Sequence, residues 1–224
     1  MAELIVAFDL PSGREALELA ARLPGLRWAK IGPTLHVREG PALVREFTAR
    51  GVRVFLDLKW HDIPSVVAGA VEAARAQGVA LATVHSLAGP AVLAAAAQAA
   101  GEMALVGVTV LTSHEAGDFE RVVGRGVPDL GFEAERLGRL AMAAGLRGVV
   151  ASGHELALLR EMLGPDAWIV VPGVRAPADA ADDQARTITV ADAVGRGATH
   201  LVVGRPITRA ADPRGVYQRL MESL

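Results

Sequence analysis

The sequence has 224 residues, of which 51% are hydrophobic and 21% charged, with a formal net charge of -2. This is the balance of an ordinary globular protein without a polybasic surface, so nucleic acid and acidic lipid are not expected partners. The absence of cysteine excludes disulfide bonds, thiolate metal sites and cysteine nucleophiles. Residues 1–9 lack a basic segment and a long apolar run, which predicts no signal peptide, no membrane span and a cytoplasmic location.

Short apolar runs alternate along the chain with stretches of helical spacing, and each run ends at a Gly, Pro or polar residue. This alternation predicts βα units around a parallel sheet. The predicted strands are Leu4–Phe8, Trp28–Ile31, Val54–Leu58, Leu81–His85, Ala104–Val110, Gly148–Ala151, Trp168–Val171 and His200–Val203. The predicted helices are Arg14–Arg22, Pro41–Arg50, Ser65–Gln77, Ala91–Ala100, Phe132–Ala144, Glu155–Leu163, Val190–Arg196 and Gly215–Ser223.

Eight strands, each followed by a helix, predict an α/β protein with a single-domain (β/α)8 TIM barrel over residues 1–224. An open doubly wound sheet is the alternative, but no Gly-x-Gly-x-x-Gly motif follows the first strand. The longest irregular stretches, residues 113–131 and 172–188, are predicted as loops over the barrel mouth, the first with a short helix. Loops of this length are plausible lids.

Polar residues cluster at the carboxyl ends of the predicted strands, where barrel enzymes carry their catalytic groups. Asp57 and Lys59 end the third strand and, with a period of two, point to the same face. One such residue alone could be a helix cap or part of a structural ion pair. Several charges on inward-facing strands are costly to bury unpaired, so together they predict a site. The other strand-end residues are Asp9, Lys30, His85, Thr112, Ser152, Arg175, Gly204 and Arg205.

The loop after the eighth strand places Gly204 and Arg205 where barrels often bind a phosphate group through backbone N–H groups and a short helix. A glycine turn with a surface arginine would look the same in the sequence. Arg175 follows the seventh strand, and Gln184 lies further along the same loop. Two arginines around one barrel mouth predict an anionic substrate.

These motifs resemble the orotidine 5′-phosphate decarboxylase family over essentially the whole chain. The family signature Asp-x-Lys-x-x-Asp-Ile-Pro stands here as residues 57–64, and similar elements follow at residues 111–113, 172–175, 183–186 and 203–207. One position departs from the pattern, because the family usually has Asn-Thr-Val after Ile-Pro and this chain has Ser-Val-Val. Val66 therefore lacks a hydroxyl that in the family helps to hold the ligand across the subunit interface.

The resemblance implies decarboxylation of orotidine 5′-monophosphate to uridine 5′-monophosphate in pyrimidine biosynthesis, by a homodimer without cofactor or metal. Lys59 would stabilise and protonate the C6 carbanion, and Asp57 would orient Lys59. Asp62 would reach the neighbouring subunit's site, and Lys30 would complete an alternating Lys-Asp-Lys-Asp array. The remaining ligand contacts implied are Asp9 and Lys30 to the ribose, Thr112 to the pyrimidine edge, Arg175, Gln184, Gly204 and Arg205 to the phosphate and closing loop, and further contacts from Ile63, Val66 and Pro172.

Two other functions are left open by the sequence. Metal-dependent barrels that act on 3-keto-L-gulonate 6-phosphate or a hexulose 6-phosphate share Asp-x-Lys-x-x-Asp and work through a Mg²⁺-bound enediolate. They need a carboxylate after the second strand, where this sequence has Lys30. A non-catalytic phosphate-binding barrel is the other possibility, and it gives no reason for charges at so many strand ends. No catalytic role is assigned to His85.

Overall fold

A computed structural model of the chain describes residues 2–175 and 188–224. Its strands are β1 Glu3–Ala7, β2 Trp28–Ile31, β3 Arg53–Trp60, β4 Leu81–His85, β5 Ala104–Val108, β6 Gly148–Val150, β7 Trp168–Val171, β8 Val174–Arg175, β9 Ile188–Thr189 and β10 His200–Val203. Eight parallel strands close into a barrel in the order β1-β10-β7-β6-β5-β4-β3-β2, and β8 pairs with β9 outside it. The predicted single-domain (β/α)8 barrel is confirmed, and the open sheet is excluded.

Helices follow the barrel strands and cover them. They are α1 Gly13–Ala21, α2 Pro33–Ala49, α3 Pro64–Ala76, α4 Pro90–Ala100, α5 Ala116–Val123, α6 Leu130–Ala143, α7 Leu156–Leu163, α8 Val190–Gly195, α9 Arg205–Thr208 and α10 Pro213–Glu222. Several begin at proline, which has the φ angle of a helix and lacks only an N–H that the first turn would leave unbonded. No helix in the described part of the chain is long and apolar enough to cross a membrane.

Two predicted segments differ from the structure. The segment Pro33–Ala49 consists of two helical parts, because Gly40 (φ 59°, ψ -156°) has a non-helical backbone between them. The part after Gly40 is the helix predicted from Pro41, whereas the part from Pro33 to Gly40 is not predicted by the sequence pattern. The predicted loop after β7 contains β8, whose Val174 pairs with Ile188 of β9.

The core has two layers because alternate residues of each strand face opposite sides. Ile5 of β1 lies inside the barrel with Phe55 and Leu81, whereas Leu4 packs outward among the helices. Both faces of the strands are therefore buried, which explains the continuous apolar runs in the sequence. Towards the carboxyl ends, the inward-facing positions pass from apolar to polar residues.

The amino-terminal end of the barrel is closed by aromatic side chains. The ring of His200 lies 4.3 Å from that of Trp168 and 5.6 Å from that of Trp28, measured between ring centroids. The Arg53 guanidinium stacks over Trp28 and donates to Glu3 at 2.9 Å. Burial is the main reason that the pKa of His200 is lowered to about 4. This end of the molecule is a packed structural face.

Candidate active site

A cavity of about 450 Å³ opens at the carboxyl ends of the barrel strands. This volume suits a small-molecule ligand. Apolar residues such as Val108, Val150 and Val202 form part of its wall. The predicted site residues that line it are Asp9, Lys30, Asp57, Lys59, Thr112, Pro172, Gly204 and Arg205. Eight of the thirteen predicted site residues therefore meet at one place, although they come from distant parts of the sequence.

Four charged side chains form a continuous array across the floor of this cavity. Lys30 Nζ lies 3.1 Å from Asp9 Oδ1 and 3.7 Å from Asp57 Oδ2. Lys59 Nζ lies 2.8 and 2.9 Å from the two carboxylate oxygens of Asp57. The charges alternate in the order Asp9, Lys30, Asp57, Lys59, and this array contains both lysines of the sequence.

Asp57 is the most buried carboxylate of the array, with 9% of its surface exposed. Burial alone would raise its pKa, but the charges of Lys30 and Lys59 and hydrogen bonds from Lys59 and Thr83 outweigh it, and the pKa of Asp57 is lowered. The array therefore presents an ionised carboxylate between two ammonium groups at neutral pH.

An irregularity at the end of β3 brings Asp57 and Lys59 together. Leu56 pairs with Ala82 but Trp60 pairs with Val84, so β3 gains two residues over β4 and bulges. Lys59 has φ 50°, and it is the one residue other than glycine with a positive φ in the described ranges. The strand pattern predicted that the two side chains share a face, but it gave no sign of the bulge.

Thr83 is a polar residue of this region that is not among the residues predicted from the sequence. It is fully buried in β4, where its Oγ1 accepts the Lys59 N–H at 2.8 Å and donates to Asp57 Oδ1 at 3.1 Å. The available signal was its position two residues after Leu81, whose side chain faces the barrel interior. Thr83 does not line the cavity.

Gly32 makes room for the outer ion pair of the array. A Cβ atom at this position would lie 2.9 Å from Asp9 Oδ1 and 3.3 Å from Lys30 Nζ. Lys30 itself lies within β2, and Asp9 lies two residues beyond the end of β1. A side chain at position 32 would therefore require the Asp9 carboxylate to shift from this position.

Gly204 and Arg205 border the cavity on the side of β10. Gly204 precedes the one-turn helix α9, and its carbonyl oxygen accepts the N–H groups of Ile207 and Thr208. Pro172 and the neighbouring Gly173 (φ 75°) approach the cavity from β7. Arg175 is the last residue of β8. Gln184 lies outside the described residues.

Asp62, Ile63 and Val66 do not line this cavity. Asp62 is exposed, and its Oδ1 accepts the N–H of Ile63 at 2.7 Å. Ile63 and Val66 are 62% and 50% exposed. The charge array therefore ends at Lys59 and does not include Asp62.

Two strand-end residues have local structural roles. His85 stacks on His61 with ring centroids 5.6 Å apart, and its Nδ1 accepts the N–H of Leu87. Burial, followed by the nearby positive charges, lowers the pKa of His85 to about 4. Ser152 is fully buried, and its Oγ accepts the N–H of His154 in the turn before α7. Neither side chain lines the cavity.

Asp9 and Asp57 are the two carboxylates among the described residues that line the cavity. Across residues 2–175 and 188–224, no group of three or more His, Cys, Asp or Glu side chains could hold one. The two carboxylates of the array, Asp9 and Asp57, are both within ion-pair distance of the Lys30 ammonium group. A divalent cation between them would have to displace that ammonium group.

The chain is similar in sequence and in structure to known proteins. The model of the "Orotidine 5'-phosphate decarboxylase / HUMPS family" matches residues 2–220. The orotidine 5'-phosphate decarboxylase of Alkalilimnicola ehrlichii is 48% identical over 226 residues, covering 99% of this chain and 95% of that protein. The one of Halorhodospira halophila is 49% identical over 216 residues, covering 94% and 90%. The crystal structure of orotidine 5'-phosphate decarboxylase from Lactobacillus acidophilus superposes with a TM-score of 0.88 at 30% identity, covering 100% and 99%.

Proposed function

Since the chain belongs to the orotidine 5′-phosphate decarboxylase / HUMPS family, we propose that it converts orotidine 5′-monophosphate into uridine 5′-monophosphate, a step of pyrimidine biosynthesis. The enzyme is a carboxy-lyase, and the barrel of residues 1–224 is its catalytic domain. The observation that carries the mechanism is the contact between Lys59 and Asp57 at the floor of the cavity, 2.8 Å between Nζ and Oδ1.

The chemistry requires a cation and a proton donor at one atom. Loss of CO2 breaks the bond between C6 and the carboxyl carbon and leaves the electron pair on C6, in the plane of the pyrimidine ring. Because this pair is perpendicular to the π orbitals of the ring, it cannot be delocalised into them, so it must be stabilised by a fixed charge and then protonated. The Lys59 ammonium group meets both needs, because it carries the charge and the proton on the same nitrogen.

Asp57 and Lys30 position this ammonium group. Asp57 contacts Lys59 through both carboxylate oxygens, which directs Nζ into the cavity. The Lys30 ammonium group, whose Nζ lies 3.7 Å from Asp57 Oδ2, also balances the negative charge of this carboxylate. A substrate carboxylate bound beside Asp57 would experience repulsion that disappears when CO2 departs, so the arrangement favours the carbanionic state over the bound substrate.

The remaining cavity residues fit the other parts of the nucleotide. Asp9 and Lys30 hold the ribose hydroxyl groups, and Thr112 contacts the pyrimidine edge. Gly204 and Arg205 bind the phosphate group beside β10, where a guanidinium can make two parallel hydrogen bonds to phosphate oxygens. In the same proposal, Pro172, Arg175 and Gln184 belong to the segment that closes over the ligand. Binding of the distant phosphate then stabilises closure and dehydrates the charge array.

The working enzyme in this proposal is a cytoplasmic homodimer. Asp62 is exposed in a single protomer, and it is flanked by the exposed apolar side chains of Ile63 and Val66. Burial of these side chains against a second copy would remove apolar surface from water and bring Asp62 to the partner's cavity. Asp62 would then complete the alternating charges beyond Lys59. Val66 offers only packing at this interface, because it has no hydroxyl group.

The Mg²⁺-dependent reaction on a sugar phosphate has less support from the same residues. It needs carboxylates that are available to the metal, whereas Lys30 pairs with both Asp9 and Asp57. A non-catalytic phosphate-binding barrel would not need an ammonium group held by a buried carboxylate 2.8 Å away. Decarboxylation uses each member of the array.

Turnover of orotidine 5′-monophosphate in the presence of EDTA tests the proposal directly. The reaction is followed as the loss of orotate-ring absorbance, with uridine 5′-monophosphate identified as the product. A parallel reaction contains added Mg²⁺ without EDTA. No turnover, or turnover that appears only with Mg²⁺, would overturn the proposed function.

A further inference from the structure

We propose that Thr83 is a positioning residue for the decarboxylation, and that its hydroxyl group fixes the Lys59 backbone and the Asp57 carboxylate relative to one another. This inference rests on the proposed function. Thr83 does not line the cavity and therefore acts only through the two residues that it bonds.

Both hydrogen bonds of the hydroxyl are committed to the charge array. Thr83 Oγ1 accepts from the Lys59 N–H at 2.8 Å, so its own proton is available for Asp57 Oδ1, which lies at 3.1 Å. The side chain is fully buried, and water cannot replace either bond without opening the barrel. A hydrogen bond between a hydroxyl and a buried carboxylate is stronger than one between neutral groups.

The bulge of β3 explains why the Lys59 N–H needs this partner. Regular pairing with β4 is interrupted between Leu56 and Trp60, so the ladder does not supply an acceptor for Lys59. The positive φ of Lys59 is a further strain that the surroundings must hold in place. Thr83 satisfies the N–H at the strained residue itself, and a buried N–H without a partner would be unfavourable.

The same hydroxyl also determines the orientation of the Asp57 carboxylate. Asp57 Oδ1 receives bonds from both Thr83 and Lys59, while Oδ2 faces Lys30. Without the Thr83 bond, the carboxylate could rotate about its χ2 angle, and the Lys59 ammonium group would follow it. A shift of about 1 Å in a catalytic group can lower a rate about 100-fold while the ligand still binds.

The variant Thr83→Val removes the hydroxyl and keeps the shape of the side chain. We expect kcat to fall about 10- to 100-fold and the affinity for uridine 5′-monophosphate to change less than about 3-fold. Thr83→Ser retains the hydroxyl and should keep kcat within about 5-fold of the wild type. Equal kcat values for the wild type and Thr83→Val would overturn the inference.

Thr199→Val is a matched control at the opposite end of the barrel. The Thr199 hydroxyl also accepts a backbone N–H, that of Ile169 at 2.9 Å, but it has no contact with the array. We expect this variant to lose stability without a change in kcat. If Thr199→Val lowered kcat as much as Thr83→Val, the effect would be a general one of stability and the inference would fail.

The side-chain NMR signals of the two lysines separate this inference from the proposed function. In Thr83→Val, the Lys59 signal should shift or broaden, with its identity fixed by its absence from Lys59→Arg. An unchanged signal would overturn the positioning role, whether or not the wild type decarboxylates orotidine 5′-monophosphate. If Thr83→Val does not fold, Thr83→Ser and Thr83→Ala are compared. A kcat at least about 10-fold higher for serine supports the inference, and a smaller difference overturns it.

Discussion

The Lys59 ammonium group lies against both carboxylate oxygens of Asp57, at 2.8 and 2.9 Å. The two residues are only two positions apart in the sequence. The bulge of β3 and the positive φ of Lys59 bring their side chains into contact. A surface ion pair at this distance would contribute little to stability. Here the carboxylate is buried and compensated on its other side by Lys30, so the pair has a fixed position in the cavity.

Replacement of Lys59 by alanine should abolish the chemistry but not ligand binding. Because both the fixed charge and the proton donor are lost, we expect kcat to fall by at least about 10⁴-fold. The affinity for uridine 5′-monophosphate, measured by titration calorimetry, should remain within about 10-fold. Arg53→Ala, at the amino-terminal end of the same strand, is the control and should keep its activity. Near-normal turnover by Lys59→Ala would refute the assigned role.

Replacement of Arg205 by alanine should weaken the binding of the phosphate group. We expect kcat/KM to fall about 100-fold or more, since a bidentate charged contact is removed. Free phosphite dianion should recover part of this loss if the phosphate site stabilises the closed state. Arg214→Ala, an exposed arginine of α10 outside the cavity, should behave as the wild type. An Arg205→Ala variant with an unchanged kcat/KM would remove this residue from the proposed phosphate site.

Mixing two inactive variants tests whether Asp62 acts across a subunit interface. Lys59→Ala and Asp62→Ala should each be nearly inactive as homodimers. In a mixed dimer, one site combines an intact Lys59 with the partner's intact Asp62, so random exchange of equal amounts should restore about a quarter of the wild-type activity. Activity is measured after the subunits are mixed at low concentration and concentrated again. No recovery despite proven exchange would contradict a shared site.

The stability of the fold should decrease in mild acid because of its buried histidines. The pKa of His200 is about 4 in the folded protein, against 6.5 for an ordinary histidine, so protons bind preferentially to the unfolded chain between these values. The contribution of His200 is complete above its unfolded pKa and is lost as the pH falls towards 4. The slope should approach about 1.4 kcal/mol per pH unit for each such histidine. Asp57 has a lowered pKa, so its contribution to the stability of the fold is lost only in stronger acid.

Urea unfolding at about pH 7.5, 6 and 5 measures this dependence. His200→Phe should retain the stacking against the tryptophans and reduce the slope, leaving the contribution of His85. His154→Gln, at an exposed histidine, is the control and should leave the slope unchanged. A slope that is the same in His200→Phe and in the wild type would contradict the role given to its burial.

Much of the barrel could be predicted from local sequence, and the errors have physical causes. The strands β2, β4, β7 and β10 have the predicted bounds, because apolar runs between polar or glycine breaks mark strands that are buried on both faces. In α2, the predicted start at Pro41 agrees with the helical part that follows Gly40, and only the part before Gly40 was not predicted. The pairing of β8 with β9 joins residues fourteen positions apart, such as Val174 and Ile188, and local periodicity contains no sign of it.

The candidate site shows the same division. The strand-end rule predicted Asp57, Lys59 and Lys30 at one place, and the structure brings them together in one array. Thr83 and Gly32 were not predicted, because each is important only through its contacts with residues from other segments. Thr83 bonds Lys59 of β3, and Gly32 lies against the Asp9 side chain. A threonine within an apolar strand has the same local pattern whether or not its hydroxyl meets a bulge on the neighbouring strand.

The charge array contains every side-chain primary amine of this protein, namely those of Lys30 and Lys59. No other lysine exists in the sequence, so every cationic side chain outside the array is a guanidinium or an imidazole. Apart from the N-terminal amino group, a reagent selective for primary amines can therefore modify only the floor of the cavity. Lysine acylation or reductive methylation, which on most proteins decorates the surface, would act here as an active-site-directed modification that bound nucleotide should block.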